Sequence, residues 1–229
     1  MWFRTNTEYR KKVKKYQEEL YSYGIQEADL PKLPLEYWVE LVEAFKIVYE
    51  EFPKVFKYFE GFKDADDTDT CVCRMYLKYK DYQKCSKLGY IAINVKNISS
   101  EEAEEKRKLC KKENYHKCDS FKSYIIHELA HFVENVVTFA EDTFQHTLTE
   151  EWFSEYTADL QLFKTSHSII FRAYGNLDIK GILGKEAYGS TNETEFLAEA
   201  VSEYFCLEEH QKYMEDMYMQ LKDQYNKYF

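Results

Sequence analysis

Apolar side chains recur every three or four residues in several stretches of the chain, which is the spacing of one helix face. Charged helices are also predicted over residues 5–22, 99–112 and 150–163. The apolar positions that predict amphipathic helices are Trp38, Leu41, Phe45, Val48 and Phe52; then Phe121, Tyr124, Ile125, Phe132, Val133 and Val136; then Phe196, Leu197, Ala200, Val201 and Tyr204; and last Met214, Met217, Leu221 and Tyr225. The second of these amphipathic helices, which carries Phe121, is predicted to begin at Asp119 or Ser120, because either residue can cap it.

Two shorter stretches have the alternation of a β-strand, namely Cys71 to Leu77 and Gly89 to Val95. All 3 Pro lie in the first quarter and only 7 Gly occur, so the rest of the chain has few helix breakers. The pattern predicts an α+β protein with a small mixed sheet among helices. We expect residues 1–30 to form an N-terminal helical extension and residues 31–229 to form one domain.

Charge and composition narrow the classes of partner. The 229 residues carry a formal net charge of -10, which disfavours nucleic acid because phosphate binding needs a basic face. Neither a signal peptide nor an apolar run long enough to span a membrane can be recognised in the sequence. A cytoplasmic protein is therefore the default expectation, with non-classical export left open. The 6 cysteines are expected to be reduced thiols and match no paired CxxC zinc framework.

The segment His127-Glu128-Leu129-Ala130-His131 carries the clearest chemistry. Residues four apart lie on one helix face, so the two imidazoles can bind one ion at about 2.0–2.1 Å. Glu128 can then accept a proton from the water that completes the metal's shell. In a chain with 6 His, about 0.02 such matches are expected by chance, so a metal site is favoured over two unrelated histidines.

A catalytic zinc usually has three protein ligands and a water, so a third ligand is needed. Two downstream segments compete to supply it. In the first, Glu155 is the candidate ligand and Asp159 is able to orient a ligand histidine. In the second, Glu195 and Glu199 are four residues apart, so one carboxylate can bind the metal while the other holds a histidine.

The second segment, taken with the His-Glu-Leu-Ala-His helix, resembles the metallopeptidase domain of the anthrax lethal factor-like family. That family includes Pro-Pro endopeptidases and domains encoded by phages and mobile elements. Its members have a Tyr seven residues before a zinc-binding Glu in a Glu-Phe-x-Ala-Glu stretch, and Tyr188 and the stretch from Glu195 to Glu199 match this pattern. The resemblance implies that Tyr188 donates to the oxyanion, Glu195 binds zinc and Glu199 supports the site.

The resemblance also implies a zincin-like fold, and the strand Gly89 to Val95 looks like the family's substrate-binding edge strand. The interval from His131 to Glu195 is longer than is usual in the family, which indicates an insertion and leaves Glu155 as the alternative ligand. The expected function is that of a zinc metalloendopeptidase of the gluzincin type, with one Zn²⁺ per chain and a peptide or protein substrate. The alternative is an inactive zincin-fold module that binds a protein partner.

Overall fold

The computed structural model describes residues 7–65, 72–78, 86–99, 118, 120–145, 178–184 and 187–229. Nearly all of the predicted helix 99–112 and the whole of 150–163 lie outside this set. The helices are α1 (Thr7–Ser22), α2 (Leu35–Glu51), α3 (Val95–Ser99), α4 (Phe121–Gln145), α5 (Ile179–Leu183), α6 (Glu193–Cys206) and α7 (Lys212–Tyr228). The strands are β1 (Glu27–Asp29), β2 (Phe59–Asp64), β3 (Cys73–Leu77) and β4 (Gly89–Ile93), and 3-10 helices span Pro53–Tyr58 and Tyr188–Ser190.

The four strands form one mixed sheet in the order β1-β2-β4-β3. β1 and β4 run parallel to β2, whereas β3 runs antiparallel to β4. The α+β prediction with a small mixed sheet is therefore confirmed. The prediction that the strand beginning at Gly89 lies at an edge is wrong, because β4 pairs with a strand on each side. Within the described residues, β3 is the edge strand next to it.

Gly61 allows β1 and β2 to approach each other. Its φ is +143°, and a Cβ built on it would lie 1.9 Å from the carbonyl oxygen of Glu27. Any side chain at this position would push the two strands apart. Sequence patterns did not predict either strand, because β1 has only three residues and β2 follows directly on the 3-10 helix that begins at Pro53.

The core is rich in aromatic side chains and lies between the sheet and the helices. Phe45, Phe59 and Phe132 are fully buried, and the rings of Phe59 and Phe132 have centroids 4.9 Å apart. Trp38, which the sequence assigned to the core, is also fully buried. Phe132 of α4 thus packs against β2, while His127 and His131 of the same helix face Glu195 of α6.

The segment before residue 31 contributes to this same core. Leu20 and Ala28 are fully buried, and the hydroxyl of Tyr9 donates to the carbonyl of Leu33 at 2.6 Å. The predicted division at residue 30 stays a prediction, but helix α1 and strand β1 pack with the elements that follow them.

Helix α4 begins where the sequence predicted. The backbone N–H of Ser123 donates to Oγ of Ser120 at 3.0 Å, which is the bond of an N-cap. The N–H of Lys122 donates to a carboxylate oxygen of Glu40 on α2 at 2.7 Å. Two of the N–H groups that a helix start leaves without a helical partner are thus satisfied, and α4 is anchored to α2.

Both predicted C-terminal helices are present as α6 and α7. Helix α7 is joined to α2 by Glu51, whose carboxylate accepts from the hydroxyl of Tyr218 at 2.5 Å and from Nζ of Lys222 at 2.9 Å. Among the described residues, every helix is too short or too polar to cross a membrane.

Candidate metal centre

Three potential metal ligands converge between α4 and α6. Nε2 of His127 lies 3.0 Å from Oε2 of Glu195 and 3.1 Å from Nε2 of His131. The third side of the triangle, from Nε2 of His131 to Oε2 of Glu195, is 3.4 Å. Within the described parts of the chain, this is the group of three residues that has its donor atoms close enough together to hold one ion.

These separations fit a tetrahedral ion. Donor atoms bound to zinc at about 2.0–2.2 Å in tetrahedral geometry lie roughly 3.3–3.5 Å from one another. The observed distances of 3.0 and 3.1 Å fall a few tenths of an ångström below that range, and the third, 3.4 Å, lies within it. The side chains therefore need only a small outward movement to enclose a metal ion.

Local sequence explains the position of each donor. His127 and His131 are one turn apart on α4, and each is 7% exposed. Glu195 lies in the first turn of α6, where the side chain of Asn192 caps the helix by accepting from the Glu195 N–H at 2.9 Å. The partial positive charge of a helix N-terminus favours a carboxylate in this turn.

Helices α4 and α6 run antiparallel, and paired side chains fix their register. The hydroxyl of Ser202 donates to the carbonyl of Ser123 at 2.8 Å. One turn further along α4, Nδ1 of His127 lies 3.3 Å from Oε2 of Glu199. Glu199 thus holds the ring nitrogen of His127 that faces away from the three-donor cluster, which is the role expected of an outer carboxylate partner.

The protonation of His127 and that of the neighbouring glutamates depend on each other. Burial by itself lowers the pKa of His127, but the carboxylates of Glu195 and Glu199 outweigh burial and raise that pKa to about 10. For Glu195, burial acts to raise the pKa. Hydrogen bonds to His127 and His131 outweigh burial and bring that pKa well below the usual range. Without a cation, the two carboxylates therefore favour the protonated form of His127.

Glu128 projects from α4 towards the sheet and is anchored there. Its Oε2 accepts a hydrogen bond of 2.7 Å from the backbone N–H of Met75 in β3. Burial raises the pKa of Glu128, although His127, His131 and the Met75 N–H act in the opposite direction. A carboxylate with a raised pKa beside the donor cluster is suited to accept and return a proton.

Tyr188 lies on the other side of the cluster, in the 3-10 helix before α6. Its ring centroid is 5.8 Å from that of His127. The next residue, Gly189, is buried against α6, and a Cβ placed on it would lie 3.1 Å from Cβ of Glu199. Glycine at this position lets the turn that carries Tyr188 pack closely on the helix that carries Glu195 and Glu199.

Glu134 is a buried acid that sequence reasoning missed. It is 2% exposed, and its two carboxylate oxygens have no hydrogen-bond partner among the described residues. Burial, with a further contribution from the charge of Glu195, raises its pKa to about 8. Its position seven residues after His127 on an amphipathic helix is the sequence signal that could have placed it on the same face.

The structure brings together all six residues that the sequence and the resemblance singled out around Glu195. Those residues are His127, Glu128, His131, Tyr188, Glu195 and Glu199. The competing candidates, Glu155 and Asp159, lie outside the described residues. Comparison with known proteins adds no identification, because no family model, curated protein or solved structure matches the chain.

Proposed function

We propose that this chain is a zinc-dependent endopeptidase with a zincin-like fold. The observation that carries the proposal is the triangle of His127, His131 and Glu195, whose donor atoms are 3.0–3.4 Å apart. The sequence resemblance to the lethal factor-like metallopeptidases supports it, since Tyr188 and Glu199 surround the same triangle.

Zinc is the cation that best fits these donors. Two imidazoles and one carboxylate form the protein ligand set of several catalytic zinc sites, in which the fourth position is left to water or substrate. Zinc bound in such a site polarises a carbonyl and makes a bound water much more acidic. His127 has to release its Nε2 proton before that nitrogen can bind a cation, so metal affinity is expected to fall at lower pH.

The surrounding residues each have a separate task in peptide hydrolysis. Glu128, held by Met75, is the general base and then delivers the proton to the leaving amine. Tyr188 donates its hydroxyl hydrogen to the oxygen that becomes negative as the carbonyl is attacked. Glu199 keeps the ring of His127 oriented through Nδ1.

Strand β3 offers a binding edge for an extended peptide. The carbonyl of Val72 and the N–H of Lys78 bond to the β4 side. Because successive residues of an antiparallel strand turn their backbone groups to opposite edges, those of Met75 and Leu77 face away from β4. The Met75 N–H is bound to Glu128, so the Met75 carbonyl and the backbone groups of Leu77 are the ones offered to a peptide. A peptide that added to this edge through main-chain hydrogen bonds would pass beside Glu128.

The test combines metal content with cleavage of a peptide library. We expect purified protein to contain about one zinc per chain and to cleave peptides in a chelator-sensitive manner. His127→Ala and His131→Ala should lose most of the zinc, while His210→Ala, which changes an exposed histidine at a distance from the cluster, should keep it. Full zinc in both cluster variants would overturn the proposal.

The same experiment separates the peptidase from a module that only binds a partner. A protein that holds zinc and a folded structure, yet leaves every peptide of the library intact, would point to the binding module. Cleavage that persists in Glu128→Gln would instead indicate a contaminating protease.

A further inference from the structure

Two cysteines meet at the opposite end of the α4–α6 helix pair from Glu195. Cys118 lies just before α4, and Cys206 is the last residue of α6. Their thiols are close enough that each shifts the pKa of the other, raising that of Cys118 and lowering that of Cys206. Both side chains are half-buried and both thiols are free, so they are in contact with each other and also within reach of a small reagent.

The register of the two helices independently places these cysteines side by side. Residues that pair across α4 and α6 have position numbers with a nearly constant sum, as expected for antiparallel helices. The pairs Ser123 with Ser202 and His127 with Glu199 follow this rule. Cys118, three residues before α4, gives nearly the same sum with Cys206 at the end of α6. The carbonyl of Cys118 is itself held in place, because the hydroxyl of Ser123 donates to it at 3.2 Å.

We propose that Cys118 and Cys206 are a reversible disulfide site that low-molecular-weight disulfides such as oxidised glutathione convert into a cross-link between α4 and α6. The inference does not depend on the peptidase proposal, because it concerns the helix pair and not its chemistry with peptides.

The reaction is an ordinary thiol–disulfide exchange. The Cys206 thiolate attacks one sulfur of oxidised glutathione, which forms a mixed disulfide and releases one glutathione thiolate. The Cys118 thiolate then attacks Sγ of Cys206 and displaces the second glutathione. The two protein thiols lose two electrons and two protons, and one molecule of oxidised glutathione becomes two molecules of reduced glutathione.

The surroundings favour Cys206 as the thiol that attacks first. The neighbouring Cys118 thiol lowers the pKa of Cys206 against the effect of burial, and Lys122 and Ser202 lower it further. Since the thiolate is the nucleophile, the cysteine with the lower pKa reacts first at neutral pH.

The cross-link and a metal ion would join the same two helices at different ends. A metal ion links Glu195 of α6 to His127 and His131 of α4, whereas the disulfide links the end of α6 to the residues just before α4. The disulfide closes a loop of roughly 90 residues, a length for which the loss of unfolded-state entropy is large. Oxidation should therefore stabilise the helix pair most when the metal is removed.

Peptide mapping by mass spectrometry tests the site directly on the wild-type full chain. After incubation with oxidised glutathione, we expect a peptide pair joined through Cys118 and Cys206, lost again on treatment with dithiothreitol. The apparent Tm in chelator should rise by about 5–15 °C on oxidation and return on reduction. A map in which these two cysteines stay as thiols, keep glutathione or pair with other cysteines would overturn the proposal.

Serine variants provide the matched control. Cys118→Ser and Cys206→Ser should each abolish both the cross-linked peptide and the Tm increase. Cys73→Ala changes a cysteine that is buried in β3, outside this helix pair, and should retain both. A cross-link that formed but lowered the Tm would also contradict the proposal, because it would mean that the two thiols are not already placed for bonding.

Discussion

The backbone N–H of Met75 donates to Oε2 of Glu128 at 2.7 Å, so the edge strand of the sheet holds the acid of the His-Glu-Leu-Ala-His segment. This bond joins β3 to α4 at the point where the proposed general base has to act. It leaves the other carboxylate oxygen, Oε1, as the atom that can face a reacting water.

We expect Glu128→Gln to keep the fold and the metal but to lose about 10²–10⁴-fold in turnover. The amide oxygen of Gln can still accept from Met75, whereas the amide cannot take up a proton. Glu128→Asp keeps the carboxylate but shortens its reach. It should therefore retain more activity than Glu128→Gln, although its bond to the Met75 N–H is weakened. Initial cleavage rates at matched zinc content measure both; a Gln variant as fast as wild type would assign the base to another group.

We expect Tyr188→Phe to retain zinc and lower turnover by about 10²–10³-fold, because it removes the hydroxyl of a ring whose centroid is 5.8 Å from that of His127. Tyr204→Phe is the control, since it removes a hydroxyl from the far end of α6, where the Tyr204 ring stacks on Tyr218. Steady-state rates at saturating peptide distinguish the two. Equal rates for Tyr188→Phe and wild type would reduce Tyr188 to a packing role.

Replacement of the two glutamates of α6 should produce unequal losses of zinc. Glu195 is one corner of the donor triangle, so Glu195→Ala should empty the site under mild chelation. Glu199 faces the outer nitrogen of His127 and is not a corner of the triangle, so Glu199→Ala should cost about 10–100-fold in zinc affinity. Competition with a chromogenic chelator measures both, and Glu155→Ala is expected to bind zinc like wild type.

The reverse result would be equally informative. If Glu155→Ala emptied the site and Glu195→Ala left it full, the resemblance to the lethal factor-like family would fail. The chain would then belong to a different branch of zinc peptidases, and Tyr188 would have no role in the reaction.

Glu134 should make the metal-free protein less stable at neutral pH. Burial raises its pKa in the folded state to about 8 from an ordinary value of 4.5. Below pH 4.5 the carboxyl is protonated in both states and has no effect. Between the two values the unfolded chain loses the proton while the folded chain keeps it, so the free energy of unfolding decreases as the pH rises and levels off above about 8.

We therefore expect Glu134→Gln to stabilise the protein at pH 7 by a few kcal/mol, with little difference at pH 4. Urea unfolding of both proteins in chelator across this pH range is the measurement. Glu141→Gln is a suitable comparison, because Glu141 is also buried on α4 but accepts a hydrogen bond from the hydroxyl of Tyr228 at 2.9 Å. A gain from Glu134→Gln that stayed constant from pH 4 to 8 would contradict this account.

The sequence was sufficient for features that depend on local spacing. The i, i+4 histidines fixed one helix face, and the Ser120 cap and both C-terminal helices followed from apolar periodicity. The proximity of Glu195 to the histidines came from the resemblance, because no local rule joins residues that are more than sixty positions apart.

Features that depend on the arrangement of strands could not be predicted in the same way. The order of strands is a tertiary property, so the hydrophobic pattern of β4 could not reveal that it is an inner strand. Met75 acts through its backbone N–H, which every residue type except proline has. Glu134 looked like an ordinary polar helix residue, since its burial depends on the elements packed around α4.

The donor triangle draws on two distant parts of the chain, and this has a consequence for synthesis on the ribosome. His127 and His131 leave the ribosome well before Glu195, because synthesis proceeds from the N-terminus. A nascent chain that ends before α6 has two imidazoles and lacks the carboxylate that completes the triangle. The full donor set therefore first exists once Glu195 has been added, by which time the strand that carries Met75 has already been synthesised.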